Sequence, residues 1–131
     1  MHWNNGIHDA GHNPRRSPVQ IPLEMYRANL QFILEKLRLF TSRIIFSTST
    51  PVHPDRPFLE AEWSWRNGEI DEYNDAARTL MESEGVPIND LDEVVWKNYG
   101  AFLSGDQLHL STAGQLACAH AVANRIRPAL A

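Results

Sequence analysis

The feature that most constrains the fold is a change of hydrophobic period between residues 23 and 51. Residues 43–50 form a short β-branched run with no polar alternation at its start, and Pro51 stops it. A run of this kind is typical of a buried strand in a parallel sheet. Before it, residues 23–40 show helical spacing of apolar side chains, and we expect them to form an amphipathic helix. The predicted apolar stripe comprises Tyr26, Leu30, Ile33, Leu34, Leu37 and Phe40. A helix followed by a buried strand predicts an α/β fold.

The same alternation continues after a long loop. Residues 69–84 again show helical spacing, and Gly85 suits the left-handed conformation that ends a helix. Residues 86–91 are a strand candidate, which Pro87 restricts to a sheet edge because proline cannot donate to the ladder. We therefore expect a second helix and a second strand.

The C-terminal third is expected to be helical. Residues 92–99 suit a short helix, and the final helix is expected to start at Ser111 or Thr112. Residues 112–115 fit a capping box, in which side chains satisfy the free N–H groups of the first turn. The helix should run to about Arg127 and end before Pro128.

Three loops are expected at the carboxyl ends of the strands, which is where open α/β sheets bind their ligands. They span residues 1–22, 51–68 and 90–111, and they contain most of the histidines and tryptophans. The alternating order of elements is that of right-handed βαβ crossovers. We therefore expect one functional site where these loops meet.

Length and charge restrict the class of function. The 131 residues, 43% hydrophobic and 21% charged, fit a single globular domain but are short for a sheet covered by helices on both faces. With a net charge of -4 and no basic cluster beyond Arg15 and Arg16, a nucleic-acid or anionic-membrane surface is not expected. No apolar run approaches the roughly 18 residues that cross a bilayer. A small-molecule partner is the expectation.

The residues with the clearest chemical pattern are Asp106 and His109. They lie three residues apart in a loop that leads into a capped helix, with Leu108 and Leu110 alternating inward to fix the turn. An aspartate that fixes the tautomer of a histidine, which then acts as a general base, is the arrangement that hydrolases reach on unrelated folds. The alternative is a surface loop whose histidine caps the following helix.

Two other histidines suggest a metal site only at first sight. His8 and His12 are four residues apart, as in zinc-binding helices, but Gly11 and Pro14 would break the helix that this spacing needs. We therefore predict no metal site. Asp9 and His12 repeat the aspartate–histidine spacing but lead only into a proline-rich loop.

Trp63 and Trp65 lie in the long second loop. Their rings could stack on a substrate such as a sugar, or they could anchor the loop to the domain. Both interpretations remain open from the sequence, and the two residues are candidates for substrate binding.

Two segments resemble sequence blocks of the SGNH, or GDSL-type, hydrolases, which are serine esterases with a flavodoxin-like three-layer fold. Residues 106–111, with Gly114 after them, resemble the C-terminal Asp-x-x-His block. Residues 6–9, Gly-Ile-His-Asp, preceded by Trp-Asn-Asn at residues 3–5, resemble the third block, whose usual form is Gly-x-Asn-Asp. The order of helices and strands between the two blocks also matches the family.

The resemblance implies a role for each of these residues. Asp106 would orient His109, and His109 would activate a serine. His8 stands where the family has an asparagine that donates to the oxyanion, so either His8 or Asn5 would take that role. The resemblance implies no cofactor and no metal.

The Gly-Asp-Ser block that carries the nucleophile is not matched in these 131 residues. Ser104-Gly105-Asp106 is a different motif, because its serine precedes the aspartate of the presumed triad itself. We therefore expect residues 1–131 to be the C-terminal portion of a single SGNH hydrolase-like domain. Its fold would be a partial flavodoxin-like α/β/α arrangement, with a parallel sheet that lacks its N-terminal strands and exposes an edge.

These expectations lead to a specific hypothesis of function. The chain would belong to an acyl or carbohydrate esterase that uses Ser-His-Asp chemistry, with the serine supplied by a missing N-terminal segment or by a complementing chain. The alternative is a non-catalytic α/β binding module or partner subunit, in which Asp106 and His109 only brace the last helix.

Overall fold

The computed structural model describes residues 1–16 and 18–130. Short strands alternate with longer helices along this part of the chain. The elements are β1 His2–Asn4, α1 Leu23–Arg38, β2 Ile45–Ser47, α2 Asn67–Ser83, β3 Ile88–Asn89, α3 Leu91–Trp96, α4 Tyr99–Phe102 and α5 Thr112–Leu130.

The three strands form one parallel sheet in the order β1-β2-β3. Asn4 of β1 is in register with Ser47 of β2, which is in register with Asn89 of β3. Parallel neighbours require the helices to act as crossovers, and α1 and α2 fill that role. The α/β class and the parallel sheet predicted from the sequence are confirmed.

The main core lies where α1 and α2 pack against β2. Tyr26, Leu30 and Leu34 of α1 are almost fully buried together with Phe46 of β2. From α2, the buried residues of this cluster are Ile70, Tyr73, Ala77 and Met81.

A second, smaller core of Val95, Leu103 and Cys118 joins α3 and α5 to the chain that follows α4. The last three helices thus pack mainly on one another.

The prediction for Phe40 was wrong. It was assigned to the buried stripe of α1, but its side chain is 82% exposed. The helix ends at Arg38, so the helical period that aligns residues 26–37 does not extend to residue 40. A periodic pattern alone does not show where a helix ends.

Residues 1–22 were predicted to be a loop, yet His2–Asn4 form strand β1. With only three residues, two of them polar, the segment is too short to give a strand signal. The strand exists because it pairs with β2 and because Trp3 packs edge-on against Phe46, with ring centroids 5.1 Å apart. Tertiary pairing overrides the local preference here.

The last helix continues through Pro128 to Leu130, whereas the sequence predicted an end before the proline. Because Pro128 lies in the final turn, its missing N–H removes a single intrahelical hydrogen bond, and the helix tolerates it there. At the other end, the Oγ of Ser111 accepts from the N–H of Gly114 at 3.1 Å, so Ser111 is the capping residue.

Two helices, α3 and α4, also replace the single helix predicted over residues 92–99. No helix in the described ranges is long and apolar enough to cross a membrane.

Candidate active site

The loop between α4 and α5 folds back on itself and carries the aspartate–histidine pair. Leu103 and Leu110 form an antiparallel bridge, and the N–H of Ser104 donates to the carbonyl of His109 at 2.7 Å. A turn closes the loop, since the N–H of Gln107 donates to the carbonyl of Ser104 at 2.9 Å. Gln107 itself has a φ of 63°, in the left-handed region.

This geometry brings Asp106 against His109. The Oδ2 of Asp106 lies 2.6 Å from the Nδ1 of His109. The other carboxylate oxygen, Oδ1, accepts from the Oγ of Ser104 at 2.7 Å and from the backbone N–H groups of Leu108 and His109, both at 2.9 Å. The hydrogen bonds from His109 and these other donors hold the pKa of Asp106 well below its usual range.

An ionised Asp106 acts on the histidine in a defined way. It keeps the proton of the neutral imidazole on Nδ1, which leaves Nε2 with a lone pair that can accept a proton. Within residues 1–16 and 18–130, Nε2 of His109 makes no hydrogen bond. The side chain of His109 is 76% exposed, so Nε2 is open to a group outside the described residues.

His109 lines a cavity of about 390 Å³. Residues from all three loops that the sequence placed at the carboxyl ends of strands meet there. The lining residues are Ile7, His8, Thr50, Trp63, Trp65, Leu108, His109 and Leu110. The structure therefore brings together His8, His109 and both candidate tryptophans.

A tight turn presents His8 to this cavity. Gly6 has a φ of 147°, and a Cβ at this position would lie 2.7 Å from the Oγ of Ser49, so only glycine fits. The N–H of Ala10 donates to the carbonyl of Gly6 at 2.9 Å and closes the turn. The ring of His8 lies edge-on to Trp63, with centroids 5.6 Å apart.

Asn5 does not line the cavity. Its Nδ2 lies 3.4 Å from the Oδ2 of Asp9, and its carbonyl accepts from the hydroxyl of Tyr26 at 2.9 Å. Of the two oxyanion donors considered from the sequence, only His8 reaches the space beside His109.

The two tryptophans are held differently. Trp65 is only 7% exposed, and its Nε1–H donates to the carbonyl of Ile7 at 2.6 Å. The guanidinium of Arg56 lies 5.5 Å from the centroid of its ring. Trp65 therefore anchors the second loop to the turn that carries His8, while the half-buried Trp63 presents its ring beside His8.

His8 and His12 point to different partners. The Nε2 of His12 lies 2.7 Å from the Oε2 of Glu69, far along the chain, while the ring of His8 contacts Trp63. Among the described residues, no group of three or more His, Cys, Asp or Glu side chains is arranged to hold a metal ion.

Sequence reasoning missed Ile7 and Thr50 as cavity residues. Thr50 is the last residue of the predicted strand run, directly before Pro51, so its place at the carboxyl end of the strand was a usable signal. Ile7 gave no signal, because only the turn at Gly6 brings it to the cavity.

The model of the GDSL-like lipase/acylhydrolase family matches residues 4–117, and the chain belongs to this family. The match spans both segments that resembled family blocks in the sequence. No curated protein sequence matches the chain.

Solved structures share the fold at low sequence identity. A lipase/acylhydrolase from Enterococcus faecalis is 21% identical, with a TM-score of 0.76 over 97% of this chain and 60% of that one. For an acetylxylan esterase from Geobacillus stearothermophilus the identity is 21%, the TM-score is 0.71, and the coverage is 95% and 57%.

The esterase domain of the ORF1 protein from the zebrafish ZfL2-1 retrotransposon is 18% identical, with a TM-score of 0.68 over 81% of this chain and 60% of that one. The chain thus spans less than two thirds of the length of these similar structures.

Proposed function

We propose that this chain carries the acid–base half of an ester hydrolase that works by Ser-His-Asp chemistry. The observation that carries the proposal is the 2.6 Å contact between Asp106 Oδ2 and His109 Nδ1, with no hydrogen bond to Nε2 from the described residues and with His109 in the lining of a cavity. A general base needs this arrangement: a fixed tautomer and a free nitrogen towards the nucleophile. Membership of the GDSL-like lipase/acylhydrolase family agrees with it.

Each residue then has a defined step. His109 Nε2 accepts the proton of a serine hydroxyl while the serine oxygen bonds to the ester carbonyl carbon. The carbonyl oxygen becomes an oxyanion, to which a ring N–H of His8 donates. His109 returns its proton to the leaving alcohol, and water repeats the sequence to release the acid. Asp106 stays ionised and stabilises the charged imidazole.

The nucleophile is proposed to come from a polypeptide segment outside residues 1–131, either an N-terminal segment or a complementing chain. In the part of the chain that the structure describes, Thr50 supplies the one hydroxyl side chain in the cavity lining. The sequence has no Gly-Asp-Ser block. Catalytic mutants of the Geobacillus stearothermophilus esterase replace a serine in one case and an aspartate in another.

The substrate is proposed to be a small acyl ester or a carbohydrate ester. The cavity of about 390 Å³ has the size of a small-ligand site, and apolar side chains dominate its lining. The half-buried Trp63 offers a ring against which a sugar or acyl group can pack. Action on acetylxylan by one structural neighbour agrees with this class.

The alternative is a binding module in which the pair only braces the last helix. One observation weighs against it: the Oγ of Ser111, not His109, caps α5. The coding sequence directly upstream separates the two proposals. An in-frame Gly-Asp-Ser after a strand pattern supports the esterase, and its absence supports the module.

A direct test is hydrolysis of p-nitrophenyl acetate by the 131-residue chain. We expect the wild type and the His109→Ala variant to be equally inactive, because the base has no serine to activate. A wild-type rate that disappears in the variant would show that the nucleophile lies within this chain.

A further inference from the structure

A second group of ionisable side chains lies away from the cavity, at the start of α3. Asp92 is only 7% exposed, and its Oδ1 is buried without a hydrogen-bond partner among the described residues. Its backbone N–H donates to the Oγ1 of Thr48, which follows β2, at 3.0 Å. The backbone at Asp92 is thus fixed while half of its carboxyl group is left without a donor.

A single cation, the guanidinium of Arg78, is shared among several aspartates near Asp92. Arg78 of α2 donates from Nε and Nη2 to the Oδ2 of Asp90 at 3.2 and 2.9 Å, and from Nη1 to Asp75 at 2.8 Å. Asp92 receives only a longer contact, 4.0 Å from Arg78 Nη2. Asp71 of α2 adds a further negative charge that acts on it.

The cluster therefore does not neutralise an ionised Asp92. Burial in the protein, and then the charges of Asp71 and Asp90, raise the pKa of Asp92 to about 7, which Arg78 offsets only in part. A buried carboxylate without a donor is costly, whereas a protonated carboxyl group is tolerated.

We propose that the docking of the first turn of α3 depends on a proton at Asp92. The turn stays packed beside Thr48 when the buried carboxyl group is protonated, and it loosens when the carboxylate, whose Oδ1 has no donor among the described residues, is ionised. This docking bears on the candidate site through packing. Val95 of α3 is buried with Leu103, and Leu103 pairs with Leu110 across the loop that holds Asp106 and His109. The proposal does not depend on whether that site hydrolyses esters.

The expected pH dependence follows from the two states of the chain. In the unfolded chain Asp92 titrates near 3.8, and in the folded chain near 7. Between these values the folded protein keeps a proton that the unfolded chain has released, so stability falls as the pH rises. The dependence ends above about pH 7, where both states are ionised.

The test compares wild type with Asp92→Asn in urea titrations from about pH 5 to pH 8. The unfolding constant of the wild type divided by that of Asp92→Asn isolates the effect of Asp92 from that of the other titrating groups. We expect this ratio to rise by up to about tenfold per pH unit as far as pH 7 and then to level off. Glu93→Gln is the matched control, since Glu93 lies on the same helix turn but is 67% exposed, and its ratio should stay flat.

A ratio for Asp92→Asn that does not change with pH would overturn the proposal. Carbon NMR titration of the Asp92 carboxyl group in the wild-type chain gives an answer even if the variant fails to fold. A midpoint near 7 supports the proposal, and one below about 5 overturns it.

Hydrogen exchange tests the loosening itself. Above pH 7, residues 91–96 and 103–111 should lose protection, after correction for intrinsic exchange, in the wild type but not in Asp92→Asn. Protection that is unchanged across this range would contradict the loosening.

Discussion

At the candidate site, one left-handed residue sets the distance between Asp106 and His109. The φ of 63° at Gln107 turns the backbone between Asp106 and His109, so that their side chains meet at 2.6 Å within a single loop. The pair is thus built locally and does not rely on a distant element to bring its members together. This local origin explains why the spacing in the sequence already indicated it.

The carboxylate should control the tautomer of His109. In Asp106→Asn, the amide can offer an N–H to Nδ1, which would shift the imidazole proton towards Nε2. We expect ¹⁵N NMR near pH 8 to show the Nδ1–H tautomer of His109 in the wild type and a shift towards Nε2–H in the variant. The ring of His120, exposed on α5, should not change. Identical His109 spectra in the two proteins would refute a fixing role for Asp106.

The turn that presents His8 should be intolerant of any side chain at Gly6. In Gly6→Ala, the Cβ would lie 2.7 Å from Ser49 Oγ, at a φ of 147° that other residues rarely adopt. We expect a loss of roughly 2–4 kcal/mol in the free energy of unfolding, measured by urea denaturation.

Gly68→Ala is the control for Gly6→Ala. A Cβ at Gly68 would meet nothing within 4 Å, and its helical position should gain up to about 1 kcal/mol. Equal effects at the two glycines would contradict the proposed turn geometry.

The site residues differ in how far the sequence could predict them. Asp106 and His109 share one loop, so their spacing was informative. Which of His8 and Asn5 lines the cavity could be seen only in the fold. The turn that starts at Gly6 brings His8 to the cavity, whereas Nδ2 of Asn5 lies 3.4 Å from Asp9 Oδ2. The anchoring bond from Trp65 to Ile7 joins residues far apart in sequence, and no local pattern encodes it.

Among the elements, α1 offers the clearest test of where the core ends. Leu34 is fully buried, and Leu34→Ala should cost roughly 2–5 kcal/mol in the free energy of unfolding. Phe40→Ala removes a larger side chain but one that is 82% exposed, and it should change stability by less than about 0.5 kcal/mol. The free energy of unfolding of both variants can be measured by thermal or urea denaturation. A comparable loss of stability in the two variants would show that Phe40 makes a buried contact.

The helices with a regular spacing of apolar residues could be predicted, whereas the strand that depends on pairing with a neighbour could not. The apolar residues of α1 and α2 are buried against the sheet, so their helical spacing can be recognised in the sequence. Strand β1 consists of His2, Trp3 and Asn4 and exists because β2 lies beside it. Helix α5 includes Pro128 because the proline lies in its last turn. The sequence alone does not show where the helix ends, so this could not be predicted.

At the scale of the whole molecule, the sheet of three strands has β1 at one edge. The structures that share this fold are longer, and the chain spans 57–60% of the lipase/acylhydrolase and acetylxylan esterase chains. We propose that the segment which supplies the serine also covers this edge. One polypeptide would then complete both the sheet and the triad.

The most direct test of this proposal is the rate of p-nitrophenyl acetate hydrolysis by the chain joined to an upstream segment that carries a Gly-Asp-Ser block. We expect activity that falls by about 10³-fold or more in His109→Ala and stays unchanged in His120→Ala. Activity that survives the loss of His109 would show that Asp106 and His109 are not the acid–base pair of this protein.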